Sequence, residues 1–500
     1  MKLKKMSALA LSVLLLSSCV KDADYDPNGN EPFDEGTGNT TFVFSVNNSD
    51  AGLTKSVTSG DAEDSGEHYL GSAEEYAVKK AKVFLFDPTT KTFIKSLDLD
   101  LQNISNPRVD QKMVKYTSQK QEVDPGSYHV FAVANSEFSF TSGSLTDFLA
   151  SVDKTTYSAG YITKVPEDGF VMTNRGAANL NIYIPQNQEI EVNIILERVV
   201  AKVAIGVAKD LSNVFKLSHG GKEYASVTLD KYQMVNFPKT YNMYRHVADL
   251  PTFAAPASYD IPTNFGNISN NNGYAIDPLF FSKDPANTRN FNYTDFVQPY
   301  VGFTVDNADW TEITSTALAR QYCLENTLFQ TSQINGYTTG VIFKATVTPT
   351  EVLTAAGTTT SPNNTIYYAG YKFYNSIKDL VAIVGKISIG GTPIDENTSD
   401  ADLAKKNIRR IKKDASAAYS CYYNYWMKHH DNGNPAVMGV MEFGIVRNNH
   451  YILRVAKIAD IGSGTVIPDP IEPDEKLSYL TVELAVKPWV VRDQGDVELK

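Results

Sequence analysis

The sequence predicts an all-β protein made of two β-sandwich domains in tandem, with a few short helices. The chain has 500 residues, which is enough for two sizeable domains. It contains 28 Tyr and 24 Phe beside many Val, Ile and Thr, and these residue types favour strands. Short alternating segments also recur between turn signals along most of the chain.

The first residues are typical of a secreted lipoprotein. Three lysines lie within residues 1–5, an apolar run too short to span a membrane covers residues 6–16, and Leu16-Ser17-Ser18-Cys19 follows. Small residues before a cysteine resemble a bacterial lipobox, so we expect a signal peptide over residues 1–18 and lipidation of Cys19. The lysine and acids of residues 20–26 resemble the signal for the outer face of the outer membrane. Residues 19–40 are polar and rich in Gly and Pro, which predicts a flexible tether.

The first predicted strand is the alternating segment at residues 41–46. Its members are Thr41, Phe42, Val43, Phe44, Ser45 and Val46. A long polar stretch, residues 47–66, follows this strand and contains a single basic residue, Lys55, before Ser56. An exposed polar segment of this kind is a natural site of proteolysis.

Strands and turns alternate through the rest of the chain. Further strands are predicted at residues 82–86, 127–134, 180–184, 191–205, 224–229, 340–347, 365–373, 439–443 and 449–458. Short helices are predicted at residues 145–152 and 401–413. We place the division between the two domains within residues 197–202, so that the first spans residues 41–198 and the second residues 199–466.

The chain ends with a stiff spacer and an alternating segment, together residues 467–500. Three prolines in residues 467–475 (IPDPIEPDE) favour an extended spacer that holds the last strand away from the body. Along the strand at residues 479–491 the apolar side chains Leu480, Val482, Leu484 and Val486 share one face. Burying them contributes ~6–12 kcal/mol before entropy, enough to join two subunits. The alternative is a last strand that folds back into its own sheet.

Little in the sequence indicates nucleic-acid binding, metal binding or catalysis. The net charge of −11, with scattered lysines, disfavours nucleic acid as a partner. His429-His430-Asp431 is the one tight cluster that resembles metal ligands, but its loop sequence favours a solvated turn. We therefore expect no bound metal, no cofactor and no enzymatic activity. Cys323 and Cys421 allow at most one disulfide, and their aromatic and apolar neighbours favour separate buried thiols.

Four segments together resemble the fimbrillins of Bacteroidales, especially the major subunits of short fimbriae. They are residues 196–203 (LERVVAKV), 322–327 (YCLENT), 446–453 (VRNNHYIL) and 482–491 (VELAVKPWVV). The resemblance covers almost the whole mature chain. It implies a lipoprotein precursor with two transthyretin-like β-sandwich domains. It also implies that a trypsin-like protease removes the N-terminal strand and that a strand of another subunit fills the open groove.

Carried onto this sequence, the resemblance makes residues 41–46 the removable strand and places the cut between Lys55 and Ser56. Oral relatives are cut after arginine, so the lysine at this position is a departure from the family pattern. The incoming strand would be the neighbour's last strand. Its contact residues would be Leu480, Val482, Leu484, Val486, Trp489 and Val491, with Trp489 as an aromatic anchor. Nine spacer residues at ~3.1 Å each give a reach of roughly 28 Å.

The leading hypothesis is therefore a structural subunit of a surface fimbria that supports adhesion, biofilm formation and colonisation. Its expected partners are further copies of itself, accessory fimbrial subunits, a maturation protease, the outer membrane and an unidentified surface ligand. One alternative is a tip, anchor or accessory adhesin whose last strand stays tucked in. Another is a glycan-binding surface lipoprotein, a class expected to be mainly helical.

Overall fold

The computed structural model confirms an all-β protein with a few short helices. It describes residues 38–47, 72–102, 108–110, 113–153, 155–156, 164–174, 181–248, 274–314, 318–429, 433–434, 437–439, 441–466, 469–474 and 480–488. The α-helices are α1 (Ala73–Tyr76), α2 (Leu145–Val152), α3 (Ile377–Val384) and α4 (Asp400–Ala404). In these ranges no helix has the length and apolar character needed to cross a membrane.

Residues 38–198 form an 11-stranded sheet. The strands in this part of the chain are β1 (Gly38–Asn47), β2 (Ala81–Phe86), β3 (Phe93–Leu99), β4 (Leu101–Gln102), β5 (Arg108–Asp110), β6 (Met113–Ser118), β7 (Gln121–Val123), β8 (Gly126–Ala134), β9 (Thr155–Thr156), β10 (Met172–Asn174), β11 (Asn181–Ile184) and β12 (Glu189–Arg198). The main order is β3-β2-β8-β10-β12-β1-β6-β4, with β11 beside β8, β5 beside β6 and β7 beside β1. The first strand that the structure describes therefore lies inside the sheet.

An aromatic cluster forms part of the core of this sheet. Phe148 of α2 has its ring centroid 5.1 Å from those of Phe84 and Phe86 and 5.3 Å from that of Phe131. Helix α2 begins where the backbone N–H of Asp147 donates to the Ser144 hydroxyl, and it has the predicted bounds. Its apolar stripe is thereby directed onto the strands.

Residues 200–488 form two further large sheets and several two-stranded ribbons. The strands are β13 (Val200–Val207), β14 (Val214–His219), β15 (Lys222–Val235), β16 (Phe237–Pro238), β17 (Thr240–Tyr241), β18 (His246–Ala248), β19 (Tyr274–Ile276), β20 (Phe296–Val297), β21 (Thr311–Glu312), β22 (Ala319–Leu324), β23 (Gly340–Pro349), β24 (Val352–Thr354), β25 (Gly357–Thr358), β26 (Thr365–Ala369), β27 (Lys372–Tyr374), β28 (Ser388–Ile389), β29 (Thr392–Pro393), β30 (Arg409–Lys413), β31 (Tyr419–Trp426), β32 (Asn449–Ile458) and β33 (Leu480–Pro488). The four-stranded sheet has the order β22-β13-β32-β33. The ten-stranded sheet has the order β14-β15-β23-β31-β30-β26-β27-β24-β25, with β21 beside β15.

The four- and ten-stranded sheets share one core. Val203 and Leu453 of the smaller sheet belong to the same buried cluster as Phe343 of the larger one. Cys323 and Cys421 are buried in this cluster as free thiols, so the preference for separate thiols is confirmed. Burial raises the pKa of Cys323 to about 12 and that of Cys421 to about 11, which keeps both thiols protonated at neutral pH.

Four predicted elements differ from the observed ones. The strand expected at residues 365–373 is a hairpin, because β26 ends at Ala369 and β27 begins at Lys372. The described residues of the strand expected at 439–443 form no strand, and Phe443 makes only an isolated bridge with Lys428. The single strand expected at residues 191–205 is divided at Val199, since β12 ends in the first sheet and β13 begins in the four-stranded sheet. This change of sheet lies within the predicted boundary region, and the division into two domains stays a prediction. The helix expected at residues 401–413 is wrong beyond its first turn. Asn407 has a φ of 54°, and the following residues form β30, which buries Ile411 in the core.

Candidate functional site

Strand β1 holds the six residues that were predicted to be removable. It runs parallel to β12, with Phe42 opposite Val192 and Phe44 opposite Ile194. On its other side it is antiparallel to β7 near its start and to β6 near its end. Both edges of this strand are thus paired with strands of its own sheet.

The side chains of β1 fill the core of the first sheet. Thr40, Phe42 and Phe44 have no exposed surface and Val43 is 4% exposed, while Thr41 is half-buried. The backbone N–H of Phe42 also donates to the buried Ser118 hydroxyl at 3.0 Å. The strand therefore behaves as an internal part of the fold and not as a loosely added edge.

A buried ion pair fixes helix α1, the next described element after β1. The Glu75 carboxylate lies 2.5 Å from Lys202 Nζ, and both side chains are fully buried. The Tyr322 hydroxyl donates to the same carboxylate at 2.6 Å, and the Ser72 N–H donates to its other oxygen at 2.8 Å. Burial opposes the charge of Glu75, but the attraction of Lys202 and these hydrogen bonds outweigh it and hold the pKa of Glu75 below its ordinary value.

The four segments that resemble fimbrillins meet in space. Residues 196–203 span the end of β12 and the start of β13, and the other three segments contribute to β22, β32 and β33, which are the remaining strands of the four-stranded sheet. Lys202 is opposite Tyr322 on one side and opposite His450 on the other. The segments are therefore successive parts of one structural unit.

Charged residues of these segments form buried interactions near the junction of β12 and β13, and Arg198 links the end of β12 to the segment before β32. Glu197 of β12 lies 2.6 Å from Arg245, and Glu325 lies 3.2 Å from Arg447. Arg198 donates from Nη1 to the Asn448 side-chain oxygen at 3.2 Å and from Nε to the Glu75 carbonyl at 2.7 Å. These interactions hold the junction between β12 and β13 in one geometry.

Sequence reasoning missed the role of Glu75. The signal for it was Ser72 followed three residues later by Glu75, which is the pattern of a capping box at the start of a helix. The pattern identifies the helix start, but it does not identify the partner. Lys202 lies 127 positions further along the chain and reaches Glu75 only through the folding of β13.

The chain after β32 is bound to the ten-stranded sheet. Asp460 accepts from the Tyr224 hydroxyl at 3.2 Å and from Arg409 at 2.8 Å. Ser463 exchanges two backbone hydrogen bonds with Tyr422. A Cβ on Gly464 would overlap a backbone carbonyl oxygen of β30, so only glycine allows this approach.

The spacer does not hold the last strand away from the body in this structure, which corrects that expectation. Its described part, residues 469–474, lies along residues 333–338 of the same chain. Gly336 donates to the Pro470 carbonyl at 3.1 Å, and Asn335 donates to the Glu472 carbonyl at 2.9 Å. Residues 470, 471 and 474 lie in turns, Glu472 lies in a bend, and Pro473 forms an isolated bridge with Ile334, so the extended form expected from the prolines is not observed in residues 469–474. The Pro-rich pattern also could not show where the spacer binds.

The last strand, β33, lies at one edge of the four-stranded sheet. It is antiparallel to β32, with Val482 opposite Val455, Leu484 opposite Leu453 and Val486 opposite Tyr451. The single chain thus adopts the arrangement that was kept open as the alternative, in which the strand pairs with its own sheet. Leu480 is also in this strand, whereas Trp489 and Val491 lie outside the described residues.

The remaining candidate residues take no part in a described site. Cys19, Lys55 and Ser56 lie outside the described residues, as do His430 and Asp431. His429 is half-buried, and its Nδ1 lies 2.8 Å from the Tyr451 hydroxyl. In the part of the chain that the structure describes, no three His, Cys, Asp or Glu side chains are grouped as a metal site would need.

Among solved structures, three similar ones come from Parabacteroides distasonis and Porphyromonas gingivalis. A protein ascribed to cell adhesion from P. distasonis has 13% identity and a TM-score of 0.43 over 91% of this chain and 99% of its own. The P. gingivalis fimbrilin FimA has 14% identity and a TM-score of 0.37, covering 91% and 99%. The C-terminally truncated tip fimbrial protein Mfa3 of P. gingivalis has 11% identity and a TM-score of 0.37, covering 90% and 100%. No curated protein matches the sequence.

Two sequence families match the chain, one near each end. Residues 41–192, which span β1 to the first part of β12, match the major fimbrial subunit protein FimA. Residues 417–495, which include β31, β32 and β33, match the C-terminal part of fimbrillin, the type IV major fimbrial subunit protein. Both families are structural subunits of fimbriae on the cell surface. The chain is thus similar to major fimbrial subunit proteins over residues 41–192 and to the C-terminal part of fimbrillin over residues 417–495.

Proposed function

We propose that this protein is a stalk subunit of a surface fimbria and that it polymerises by exchange of a strand between subunits. The observation that carries the proposal is the position of β1. It is the first described strand of the chain, so one cut after it frees it without interrupting any later strand. It is also an internal strand, so its loss opens a slot between β12 and the pair β6 and β7.

An empty slot would be costly for the subunit. It would expose the core surface that Phe42, Val43 and Phe44 cover, and each such side chain contributes about 1.5–3 kcal/mol when buried. It would also leave unpaired backbone groups on both sides, which attract another strand. A strand of a second molecule restores both the apolar contacts and the ladder.

The neighbour's last strand has the pattern that this slot requires. β1 buries Thr40, Phe42 and Phe44 at every second position, and Leu480, Val482, Leu484 and Val486 recur with the same period. β33 is an edge strand of its sheet, so it can leave by breaking one ladder, that with β32. Trp489 and Val491 extend the same segment beyond the described part of the strand.

Export and maturation complete the proposal. Residues 1–18 act as a signal peptide, Cys19 carries the lipid, and the precursor is held on the outer membrane until a trypsin-like protease cuts between Lys55 and Ser56. The assembled fimbria then supports adhesion, biofilm formation and colonisation. Accessory subunits and an unidentified surface ligand are its further partners.

Lipidation has a direct test. Replacing Cys19 with Ala removes the thiol that would carry the lipid, so the variant should lose palmitate labelling and leave the membrane fraction. Unchanged labelling would show that Cys19 is not the lipidated residue.

A second candidate function has one observation in its favour. In the single chain β33 is paired with β32, as expected of a tip, anchor or accessory adhesin whose last strand stays in its own sheet. Such a component would cap or anchor the fimbria without lengthening it. The two candidates differ in what happens after the cut.

The experiment treats the purified protein without its lipid signal with a trace of trypsin and follows it by native gel and negative-stain microscopy. Filaments should form as material beginning at Ser56 accumulates, and the Lys55→Gln variant should stay intact at this bond and monomeric. A protein that is cut before Ser56 and stays monomeric would instead be a tip, anchor or accessory component.

A further inference from the structure

We infer that the tail of this protein, defined as the chain after β32, stays bound to the earlier part of the same chain as far as Asp474. We call this attachment the fastening. Only the chain after Asp474 then moves when the last strand is exchanged. The fastening is a property of the single chain. Its consequence for assembly rests on the proposed function.

The fastening point is a specific contact between two segments, residues 469–474 and residues 333–338. The backbone N–H groups of Gly336 and Asn335 donate to the carbonyl groups of Pro470 and Glu472, at 3.1 and 2.9 Å. In the other direction Asp474 donates its N–H to the Gln333 carbonyl at 3.3 Å. Hydrogen bonds thus run both ways along a short ladder.

Side chains make this contact selective. The Asp474 side chain is buried, with 5% of the residue exposed, and its carboxylate accepts a hydrogen bond from the Thr338 hydroxyl. Pulling Asp474 away would leave Thr338, which has no exposed surface, without this bond. Pro470 lies so close to Gly336 that a Cβ there would be 2.8 Å from the Pro470 carbonyl oxygen. The two segments are therefore complementary in shape at Gly336 and Pro470 and in hydrogen bonding at Thr338 and Asp474.

A second attachment lies upstream of the first. Asp460, Ser463 and Gly464 are bound to the ten-stranded sheet, as described above. Two attached stretches, residues 460–464 and 469–474, thus precede β33, and among the described strands β33 pairs with β32. Releasing that ladder breaks neither attachment.

The reach of the exchanged strand then follows from geometry. The chain from Asp474 to Leu480 has six residue steps, which span at most roughly 20 Å when extended at ~3.3 Å each. A free spacer would start its reach further back, near residue 467. A fastened tail therefore requires the neighbour's slot to lie close to residues 333–338, which fixes the position of one subunit on the next.

Hydrogen exchange measured by mass spectrometry on the full-length protein tests the fastening. Leu484→Pro combined with Ala485→Pro breaks the β32–β33 ladder, because the N–H groups of neighbouring strand residues point to opposite edges and one of the two must therefore face β32. We expect amides of β32 and β33 to exchange at least tenfold faster in this variant, while the protection of Asn335, Gly336 and Asp474, whose amides donate across the contact, changes less than threefold. Loss of protection at both places together would overturn the inference.

Two variants address the fastening point itself. Thr338→Val removes the hydroxyl that bonds to Asp474, and Gly336→Ala pushes Pro470 away. Each should raise exchange at the amides of residues 335, 336 and 474 about tenfold, the factor that corresponds to roughly 1.4 kcal/mol. Ile471→Ser is the matched control, since Ile471 is 62% exposed and should alter nothing. Unaltered exchange in both variants would count against the fastening.

Assembly provides the last readout and separates the two proposals. In filaments of the trypsin-treated protein, the amides of residues 335, 336 and 474 should keep the protection that they have in the monomer. Loss of that protection on assembly would mean that the whole tail swings out, and the inference would fall while the fimbrial function stood. If no filaments form, the proposed function fails, and the monomer with proline at residues 484 and 485 still decides whether the tail is fastened.

Discussion

Glu75 shows how much of this fold depends on single buried charges. Its carboxylate and the Lys202 ammonium lie 2.5 Å apart with no exposed surface, and the pair connects helix α1 to the four-stranded sheet. Burying two charges is unfavourable in itself, so such a pair is stable only when both partners are present and hydrogen-bonded. The Tyr322 hydroxyl and the Ser72 N–H supply the additional hydrogen bonds.

Replacing Glu75 with Gln should lower the free energy of unfolding by about 3–5 kcal/mol, because it leaves Lys202 buried without its counter-charge. Urea denaturation at pH 7 measures this. The matched control is Glu351→Gln, which breaks a pair with Lys222 that is 42% and 71% exposed and should change stability by less than about 1 kcal/mol. Equal effects of the two variants would contradict the role given to Glu75.

The same pair predicts a pH dependence. The pKa of Glu75 is below its ordinary value of 4.5 in the folded protein, so its stabilising effect is fully present above pH 4.5 and is lost as the pH falls through the folded-state pKa. The difference in stability between the native protein and Glu75→Gln should therefore shrink below pH 4.5. A difference that stays constant down to pH 3 would show that Glu75 does not titrate as described.

At the scale of the element, β1 contributes to the precursor and not to the proposed mature subunit. Phe44→Ala should destabilise the uncut protein by about 3–5 kcal/mol, because it leaves a cavity in the core of the first sheet. After trypsin has removed the strand, the variant and the native protein should be indistinguishable in stability. Thr41→Ala, at a half-buried position of the same strand, serves as the control and should have a small effect in both forms.

A persistent defect of Phe44→Ala after trypsin treatment would mean that β1 stays in the sheet after the cut. Thermal unfolding of both variants before and after treatment gives the comparison. N-terminal sequencing of the treated material confirms that residues 41–46 are gone.

Several elements could be predicted from the sequence because their patterns are local. The bounds of α2 follow from Ser144 and an apolar stripe, and β2, β8 and β32 follow from period-two alternation. The helix predicted at residues 401–413 was wrong because Ile411 enters the core of a sheet, and no local pattern contains that contact. The position of β1 inside its sheet and the contact of residues 469–474 with residues 333–338 depend on chain segments far apart, so alternation and proline content could not show them.

At the scale of the molecule, stability comes from packed cores and not from covalent links. Cys323 and Cys421 are free, buried in one core and protonated at neutral pH. A thiol reagent such as DTNB should therefore leave both unlabelled in the native protein and label both after denaturation. Reducing agent should not change the melting temperature, and a lower melting temperature under reduction would reveal a disulfide between them.

If subunits exchange strands, a free peptide with the sequence of the last strand should compete with the neighbour's last strand for the slot left by β1. A synthetic peptide of residues 479–491 carries Leu480, Val482, Leu484, Val486, Trp489 and Val491 without the body that would continue the chain. It should fill the slot left by β1 in trypsin-treated subunits and so stop filament growth. Because the peptide binds only the folded subunit, it should also stabilise that subunit by RT ln(1 + [L]/Kd), so the melting temperature should rise with peptide concentration.

A peptide of the same composition with its apolar residues grouped should do neither, since it cannot place them on one face. The uncut protein should bind neither peptide, because β1 occupies the slot between β12 and β6. Inhibition of the uncut protein, or equal inhibition by the two peptides, would mean that the peptide acts elsewhere and that the β1 slot is not the acceptor.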